Sequence, residues 1–455
     1  MKDLRSTPDA RSLALDALLS IEGHGVYANV VVDELLDSRN LRTEERHLMT
    51  ELVYGVTRMK LALDWILDQY SRRKSGDLHP TLLSIVRMGI YQLFYLSRIH
   101  PGAIVNEAVN LAKKRGHAGW GAYTNGTLRA IHRQKDHIHW PDPLKDPALY
   151  LSIYHSHPIW LVRRWIAARG IEETAAMCMA NNQQPPMILR TNRLKITRDE
   201  LVRRLESQGI TTHVGRYAPE AIWVTGMPPL RSMQDFADGL FYVQDESSML
   251  VAHILNPDPD SRLLDLCSAP GGKATHLAER MGDAGSVTAM DVNENKLKDI
   301  QASATRLGIH VIHTIAADAS QPMTQFAPGF DGVLADVPCS GTGVIRRRAD
   351  SRWRKTESQI LNLVPLQAEI LHQGAQMVRP GGVLVYSTCS VEPEENVEQV
   401  IRFLAIEPGF ALDDMGQRLC AYGLTNDALV DGAMQLLSNR HGTDGFFAAR
   451  FVRMV

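Results

Sequence analysis

The chain has 455 residues, 44% of them apolar and 22% charged, with a formal net charge of −2. One hydrophobic core stops growing at roughly 250–300 residues, so two or three domains are expected. The charged opening from Lys2 onward and the lack of any run of about 18 apolar residues exclude a secretory leader and a membrane span, so a soluble cytoplasmic protein is expected. Its sparse cysteines, Cys178, Cys267, Cys339, Cys389 and Cys420, are odd in number and form no C-x-x-C pair, which points to free thiols in a reducing compartment and to no metal.

Charge is unevenly spread. Residues 71–140 carry 11 Lys and Arg against 3 Asp and Glu, whereas residues 241–455 carry 18 against 26. Inside that acidic half lies "RRRADSRWRK", Arg346 to Lys355, with six cations and one aspartate. Such clusters are candidate phosphate footprints, against the plainer reading of a solvated face. Arg346, Arg347 and Arg348, together with Lys113, Lys114 and Arg115, are the expected phosphate contacts. Trp353 among them is read as packing first and as a base-stacking platform second.

In chain order, residues 1–142 form an expected all-α domain. In "GAIVNEAVNLAKKRG", Ile104, Ala108, Leu111 and Ala112 recur at helical spacing. Lys113, Lys114 and Arg115 then meet the negative end of the helix dipole, and Gly116 is placed to cap it. Proline-rich "HWPDPLKDP" (139–147) reads as a linker. Residues 148–240 mix the helix "PIWLVRRWIAARG" with the strands "PMILRTN" and "AIWVTG", a small α+β domain. From 241 to 455 apolar strands and helices alternate with polar or glycine-rich turns at the strand tips, the pattern of a doubly wound, parallel, Rossmann-like α/β domain.

"LLDLCSAPGGKATHLAE" runs strand, glycine turn, helix, and so points backbone N–H groups at a polar ligand. It is not a phosphate-cradling NTPase loop, because Cys267 stands where the first glycine belongs and Ala274 follows Lys273. Nor is it a dinucleotide fingerprint, since only the adjacent Gly271 and Gly272 are present. A nucleoside cofactor without phosphates remains. Asp291, 20 residues after Gly271, is placed to read a ribose, and Asp318 to accept from an adenine amino group. Three acids at successive strand tips, Asp291, Asp318 and Asp336, suit the sulfonium cation of S-adenosylmethionine. Any one of them alone could merely cap a helix.

"GGVLVYSTCSVEPEEN" (381–396) ends a buried strand on Ser387, Thr388, Cys389 and Ser390, with the acids Glu392, Glu394 and Glu395 just beyond. The preceding strand ends "LADVPCSGTG", so Cys339 and Cys389 are expected at adjacent tips of one crevice. A lone free cysteine is usually inert and buried; two at neighbouring tips beside Asp336 are not. A thiol next to a methyl donor suits methylation of cytosine carbon 5, a poor nucleophile until a thiolate adds at carbon 6. A carboxyl group at the ring's N3 and amino edge, the role given to Asp336, favours that addition. Spacing alone leaves open which cysteine is the nucleophile.

"LDLCSAPGGKATH", "DVPCSGTG", "VYSTCSVEPEEN" and the terminal "DGFFAARF" resemble the RNA cytosine-carbon-5 methyltransferase family, the Sun/Fmu proteins, and "YTNGTLRAI" in the helical front end resembles the NusB-like RNA-binding domain. The domain order is similar to that of bacterial members acting on 16S ribosomal RNA. The resemblance implies Cys389 as nucleophile, Cys339 as the aid to product release, and Lys273 near the catalytic centre, orienting Asp336. It implies cofactor contacts from Cys267, Ser268, Ala269, Pro270, Gly271, Gly272 and Lys273 with Asp291, Asp318 and Asp336. "QDESSM" (244–249) is expected to line the cofactor pocket. "LRTNRLK" matches the family's small RNA-contacting domain only loosely.

The implied partner is 16S ribosomal RNA in an unassembled or partly assembled small subunit, bound by a monomer. The alternatives are a transfer RNA cytosine-carbon-5 methyltransferase, a DNA cytosine methyltransferase using the Pro-Cys cysteine, and a non-enzymatic NusB-like RNA-binding factor. The intact glycine loop, tip aspartates and cysteines speak against the last.

Overall fold

A computed structural model describes residues 9–38, 41–324, 326 and 329–455. The chain divides into two compact units, Met1–Gln183 with Ile345–Arg354, and Gln184–Val344 with Lys355–Val455. Among the described residues no helix is long and apolar enough to cross a membrane.

The first unit is helical from Ala10 to Asn182. Its opening helix, Ala10–Gly23, starts where Asp9 accepts from the Ser12 amide at 2.9 Å and buries Ala14, Leu18 and Ile21 at helical spacing, with Leu13 and Leu15 beside them. These side chains join Leu52, Leu63, Ile66, Val86, Ile90, Leu128 and Ile131 in one core. Arg87 is buried there, its guanidinium donating to both oxygens of Asp64 at 2.7 Å and to Glu22 at 2.9 Å, so the charge is neutralised where it is desolvated. The helix Pro101–Arg115 ends at Gly116, as its sequence predicts.

Two expectations change here. The proline-rich stretch does not end the helical unit: Asp146 caps a further helix, Pro147–Tyr154, and the helices Ile159–Arg169 and Ile171–Asn182 follow before the unit closes. The basic stretch "RRRADSRWRK" is not an open phosphate footprint. Arg346 and Arg352 are buried, and Arg348 is the exposed cation of the run. Arg352 donates to the Ser156 and Asn181 carbonyls and to Asn182 Oδ1 at 2.9–3.1 Å. The indole N–H of Trp353 donates to the Thr57 carbonyl at 2.6 Å, and Arg354 donates to the Gly25 and Val26 carbonyls. These cations are consumed inside the helical unit because a buried guanidinium must find acceptors.

The second unit holds two sheets. The smaller one is antiparallel, in the order β2-β3-β1-β4, from β1 (Met187–Thr191), β2 (Thr211–Val214), β3 (Ala221–Thr225) and β4 (Phe241–Val243). Leu189, Ile222, Val224 and Phe241 form its core with Leu201 and Leu205 of the helix Arg198–Ser207, which a Thr197–Glu200 capping box starts.

The larger sheet contains β5 (Arg262–Asp265), β6 (Ser286–Asp291), β7 (Ile312–Ala316), β8 (Phe330–Asp336), β9 (Val378–Thr388), β10 (Phe410–Leu412), β11 (Leu429–Val430), β12 (Ala433–Leu436) and β13 (Phe446–Arg453). Their order is β11-β12-β13-β9-β8-β5-β6-β7, with β10 also paired to β13. The five strands from β7 to β9 are parallel, with helices between them, and the chain order reverses beside β5, where such sheets open a crevice at their C-terminal ends. The sheet is mixed rather than wholly parallel: β13 runs antiparallel to β9, Phe447 opposite Thr388 and Val452 opposite Val383. Its near-continuous apolar run is buried from Phe446 to Phe451, which suits a strand flanked on both edges.

Candidate active site

The parallel register brings the motifs to one edge. Asp336 at the tip of β8 is the partner of Ser387 in β9, so the loops carrying Cys339 and Cys389 leave the sheet side by side. Their sulfurs stand 3.2 Å apart, each half-buried and neither in a disulfide. The loops are laced together by backbone: Val337 donates to the Ser387 carbonyl at 3.1 Å, and Gly343 to the Cys389 carbonyl at 3.0 Å. Gly445 of the "DGFF" segment in turn donates to the Gly343 carbonyl at 2.9 Å. A methyl group on Gly343 would lie 2.0 Å from the Gly445 carbonyl oxygen, so only glycine permits this three-way approach.

Asp336 is held on both oxygens. Lys273 Nζ donates to Oδ2 at 2.7 Å and Ser387 Oγ to Oδ1 at 2.7 Å. Burial works against the Lys273 ammonium, but the charges of Asp336, Cys389 and Asp265 outweigh it and hold its pKa above the ordinary value. The hydrogen bond to Cys389, then burial and the nearby charges of Glu395 and Asp336, push the Cys339 thiol well above its usual range. The two sulfurs share one hydrogen bond, in which either can be the donor.

The glycine turn follows β5. Gly271, at φ +98°, takes the left-handed conformation that lets the chain enter the helix Gly272–Arg280. The Ala269 amide donates to Asp291 Oδ2 at 3.1 Å, and Asp291 Oδ1 accepts from the Asn293 amide. Asp265, at the end of β5, is fully buried with no well-formed hydrogen bond to its carboxyl oxygens. Burial and the neighbouring charge of Asp336 push it up to about 7. Burial and the charges of Asp265, Asp336, Asp291 and Asp318 likewise raise the Cys267 thiol well above its normal range. Asp318 is exposed beyond β7, its carboxylate lowered by bonds from the Ser320 hydroxyl and amide. Asp291 and Asp336 stand at the tips of β6 and β8 and Asp318 just beyond β7, with Lys273 bound to Asp336, so acids outnumber cations among these residues. That donor set is compatible with a sulfonium cofactor.

Two segments singled out in the sequence, "LRTNRLK" and "QDESSM", supply residues whose individual roles carried no signal there. Arg190 in "LRTN" is fully buried and donates to the Gly272 carbonyl at 2.5 Å, to Thr275 Oγ1 at 3.0 Å and to Glu279 Oε1 at 2.7 Å, so it clamps the first turns of the helix after the glycine loop. It also donates to Gln244 of "QDESSM". Glu246 of the same segment accepts from the amides of Arg216, Tyr217 and Ala218 and from the Trp223 indole. "QDESSM" thus supports the wall behind the glycine turn. Of the expected RNA contacts on the helical unit, Lys113 and Lys114 are exposed, whereas Arg115 is engaged by Asp16 at 2.6 Å and Ser12 Oγ at 2.9 Å.

Elsewhere in this unit, Glu220, His253 and His276 form a buried cluster with their candidate ligand atoms within 4.8 Å of one another. Both imidazole Nε2 atoms lie 2.8–2.9 Å from Glu220 Oε1. Arg280 donates to His253 Nδ1 at 2.8 Å, which puts that ring's proton on Nε2, the atom a metal would need. The cluster is an internal hydrogen-bond node.

The family model described as 16S rRNA methyltransferase RsmB/F matches residues 252–452, the NusB family model residues 8–133, and the ferredoxin-like domain model of RsmF/B-like methyltransferases residues 157–231. The chain is 38% identical over 439 residues to the "Probable ribosomal RNA small subunit methyltransferase B" of Bacillus subtilis, covering 96% of this chain and 97% of that one. It is 34% identical over 451 residues to ribosomal RNA small subunit methyltransferase B of Cronobacter sakazakii, covering 99% and 100%. The crystal structure of PH0851 superposes with a TM-score of 0.81 at 26% identity, covering 99% of this chain and all of the other. A NusB-like front end, a ferredoxin-like middle and a Rossmann-like sheet with paired tip cysteines define a ribosomal RNA methyltransferase. Within that class, the chain belongs to the RsmB/Sun family of small-subunit ribosomal RNA methyltransferases.

Proposed function

We propose that the protein uses S-adenosylmethionine to methylate carbon 5 of a cytosine in 16S ribosomal RNA, through a covalent bond between Cys389 and carbon 6. The observation that carries this reading is the meeting of Cys389 and Cys339 at 3.2 Å beside an Asp336 already oriented by Lys273 and Ser387. The Cys389 thiolate adds to carbon 6 while Asp336 bonds the N3 and amino edge, and electron density moves to carbon 5. S-adenosylmethionine, when bound along the glycine turn with Asp291 and Asp318, supplies the electrophilic methyl group. Transfer of the carbon 5 proton to water acting as base then re-forms the C5–C6 double bond and breaks the bond from carbon 6 to sulfur, so that Cys389 leaves as a thiolate, a departure assisted by Cys339 beside it.

A paired base hides carbon 6, so the target cytosine is unpaired or flipped, at a cost of a few kcal/mol. Exposed Lys113, Lys114 and Arg348 favour phosphate contacts and a salt-dependent affinity. Ribosomal RNA as substrate implies a cytoplasmic enzyme that acts, as a monomer, on unassembled or partly assembled small subunits.

The test is transfer of labelled methyl groups from S-adenosylmethionine to protein-free small-subunit RNA from cells lacking this protein. Wild type labels the RNA, Cys389→Ala does not, and Cys339→Ala accumulates an RNA-linked protein. Turnover by Cys389→Ala would refute the nucleophile assignment; labelling confined to transfer RNA or DNA would refute the substrate.

A further inference from the structure

Glu395 lies in a short 3-10 turn, Pro393–Glu395, and is completely buried. Its Oε1 accepts from the Ser340 amide at 2.7 Å and from Gln367 Nε2 at 2.9 Å. Its Oε2 accepts from the Ser340 and Ser390 hydroxyls. Ser340 directly follows Cys339 and Ser390 directly follows Cys389. One carboxylate therefore grips the residue next to each sulfur.

The turn itself is tied to the same place. Tyr386 Oη donates to the Glu395 carbonyl at 2.6 Å. Asn396 accepts from Thr388 Oγ1 at 2.6 Å and donates to the Ser390 carbonyl at 2.9 Å, and Gln367 also donates to the Pro338 carbonyl at 3.0 Å. These four donors to the carboxylate are neutral groups, an arrangement that stabilises the buried side chain by hydrogen bonds rather than by an ion pair. A glutamine would have to keep its oxygen on the Ser340 amide and turn its nitrogen toward the two serine hydroxyls, which would then accept instead of donate, and it would lose the charge.

We propose that Glu395 is the positioning residue of the two-cysteine site, holding the Cys339 and Cys389 loops in register. The inference rests on the reading above, in which Cys389 attacks and Cys339 aids release. The raised Cys339 thiol, to which Glu395 contributes, agrees with it.

The experiment compares wild type with Glu395→Gln and Glu395→Asp in steady-state methyl transfer, and follows iodoacetamide alkylation of each cysteine against pH by peptide mass spectrometry. A displaced thiol should cost at least about tenfold in kcat, since misplacement by about 1 Å can cost a hundredfold. KM for RNA should stay within about twofold, because the lost interaction is not one that binds substrate. Alkylation of Cys339 should begin at lower pH in Glu395→Gln, and Glu395→Asp should restore part of the activity. Wild-type kcat with an unchanged Cys339 profile in Glu395→Gln would overturn the proposal.

Should Glu395→Gln not fold, the Ser340→Ala/Ser390→Ala double variant keeps the carboxylate, removes its only bond to the Cys389 loop side chain and its hydroxyl bond to the Cys339 loop, and leaves the Ser340 amide bond in place. An unchanged kcat there would equally overturn the proposal. Cys389→Ala serves as the separate control: activity in that variant refutes the nucleophile reading, while the Cys339 alkylation profile still reports what Glu395 does.

Discussion

Asp336 shows how the chemistry depends on neighbours one residue at a time. Lys273 and Ser387 each bond one of its oxygens, which fixes the plane of the carboxyl group toward the crevice. Asp336→Asn would present an amide to one of these donors and leave the Lys273 ammonium without its carboxylate. Loss of an electrostatic contact aimed at the reacting group typically costs about a hundred- to a thousandfold in kcat. Single-turnover methyl transfer at saturating S-adenosylmethionine should fall by that order; near-normal turnover would remove Asp336 from the mechanism. At this scale Cys339, Cys389, Asp336 and the glycine loop were legible, because each sits in a short motif at a strand tip. Glu395 was not. It stands among Glu392 and Glu394 in "VEPEEN", where Glu392 is buried as well, and nothing in that run marks Glu395 as the acid that takes four hydrogen bonds at the two cysteine loops.

Among elements, the small sheet and the helices behind the glycine turn share a titratable node. Glu220, in the connection between β2 and β3, accepts from His253 on the helix Glu246–Leu255 and from His276 on the helix Gly272–Arg280. Burial opposes the Glu220 charge, but His276 and His253 outweigh it and hold its pKa below the ordinary carboxylate value. Burial, against the pull of Glu220, lowers His276 to about 3. Both shifts act in one direction: the unfolded chain takes up protons that the folded one refuses, so stability present at neutrality is lost on acidification. The urea midpoint of the wild type should slide as pH falls below about 6.5, the ordinary histidine value, toward 4, and His276→Gln should slide less. Equal slopes would show that the node does not govern acid lability. The strands that frame it were only partly readable. β1 and β3 announce themselves by apolar runs, whereas β2, with "TTHV", is largely exposed and lacks the alternation that identifies a strand. The purpose of Arg190 was likewise hidden, since an arginine in an apolar strand reads as a surface or RNA contact until its acceptors are known.

On the scale of the whole chain, the helical unit is completed by residues from far downstream. Ile345–Arg354 leaves the larger sheet's connections after the Pro-Cys loop and packs within the helical unit, where Arg352 satisfies Ser156, Asn181 and Asn182. Burial, with Arg58 nearby, lowers the Arg352 guanidinium to about 9, so its hydrogen bonds stabilise a charge held away from water. Arg352→Ala removes three charge-assisted bonds and strands their acceptors, a loss of roughly 2–4 kcal/mol. The expected signs are an earlier denaturation midpoint and faster proteolysis within 345–354; an unchanged midpoint would mean that the segment adds nothing to the helical unit.

By itself the sequence determined the three-part order, the alternating strands and helices, and the residues at the strand tips, because motif spacing and apolar periodicity are local properties of the chain. Tertiary structure alone decided the rest. It joined the helices from 147 to 182 to the front unit, drew "RRRADSRWRK" out of solvent, set β13 antiparallel against β9, and chose Glu395 from its acidic neighbours. Each of these depends on which distant groups meet a side chain once water is excluded, since a buried charge persists only where the fold supplies its partners.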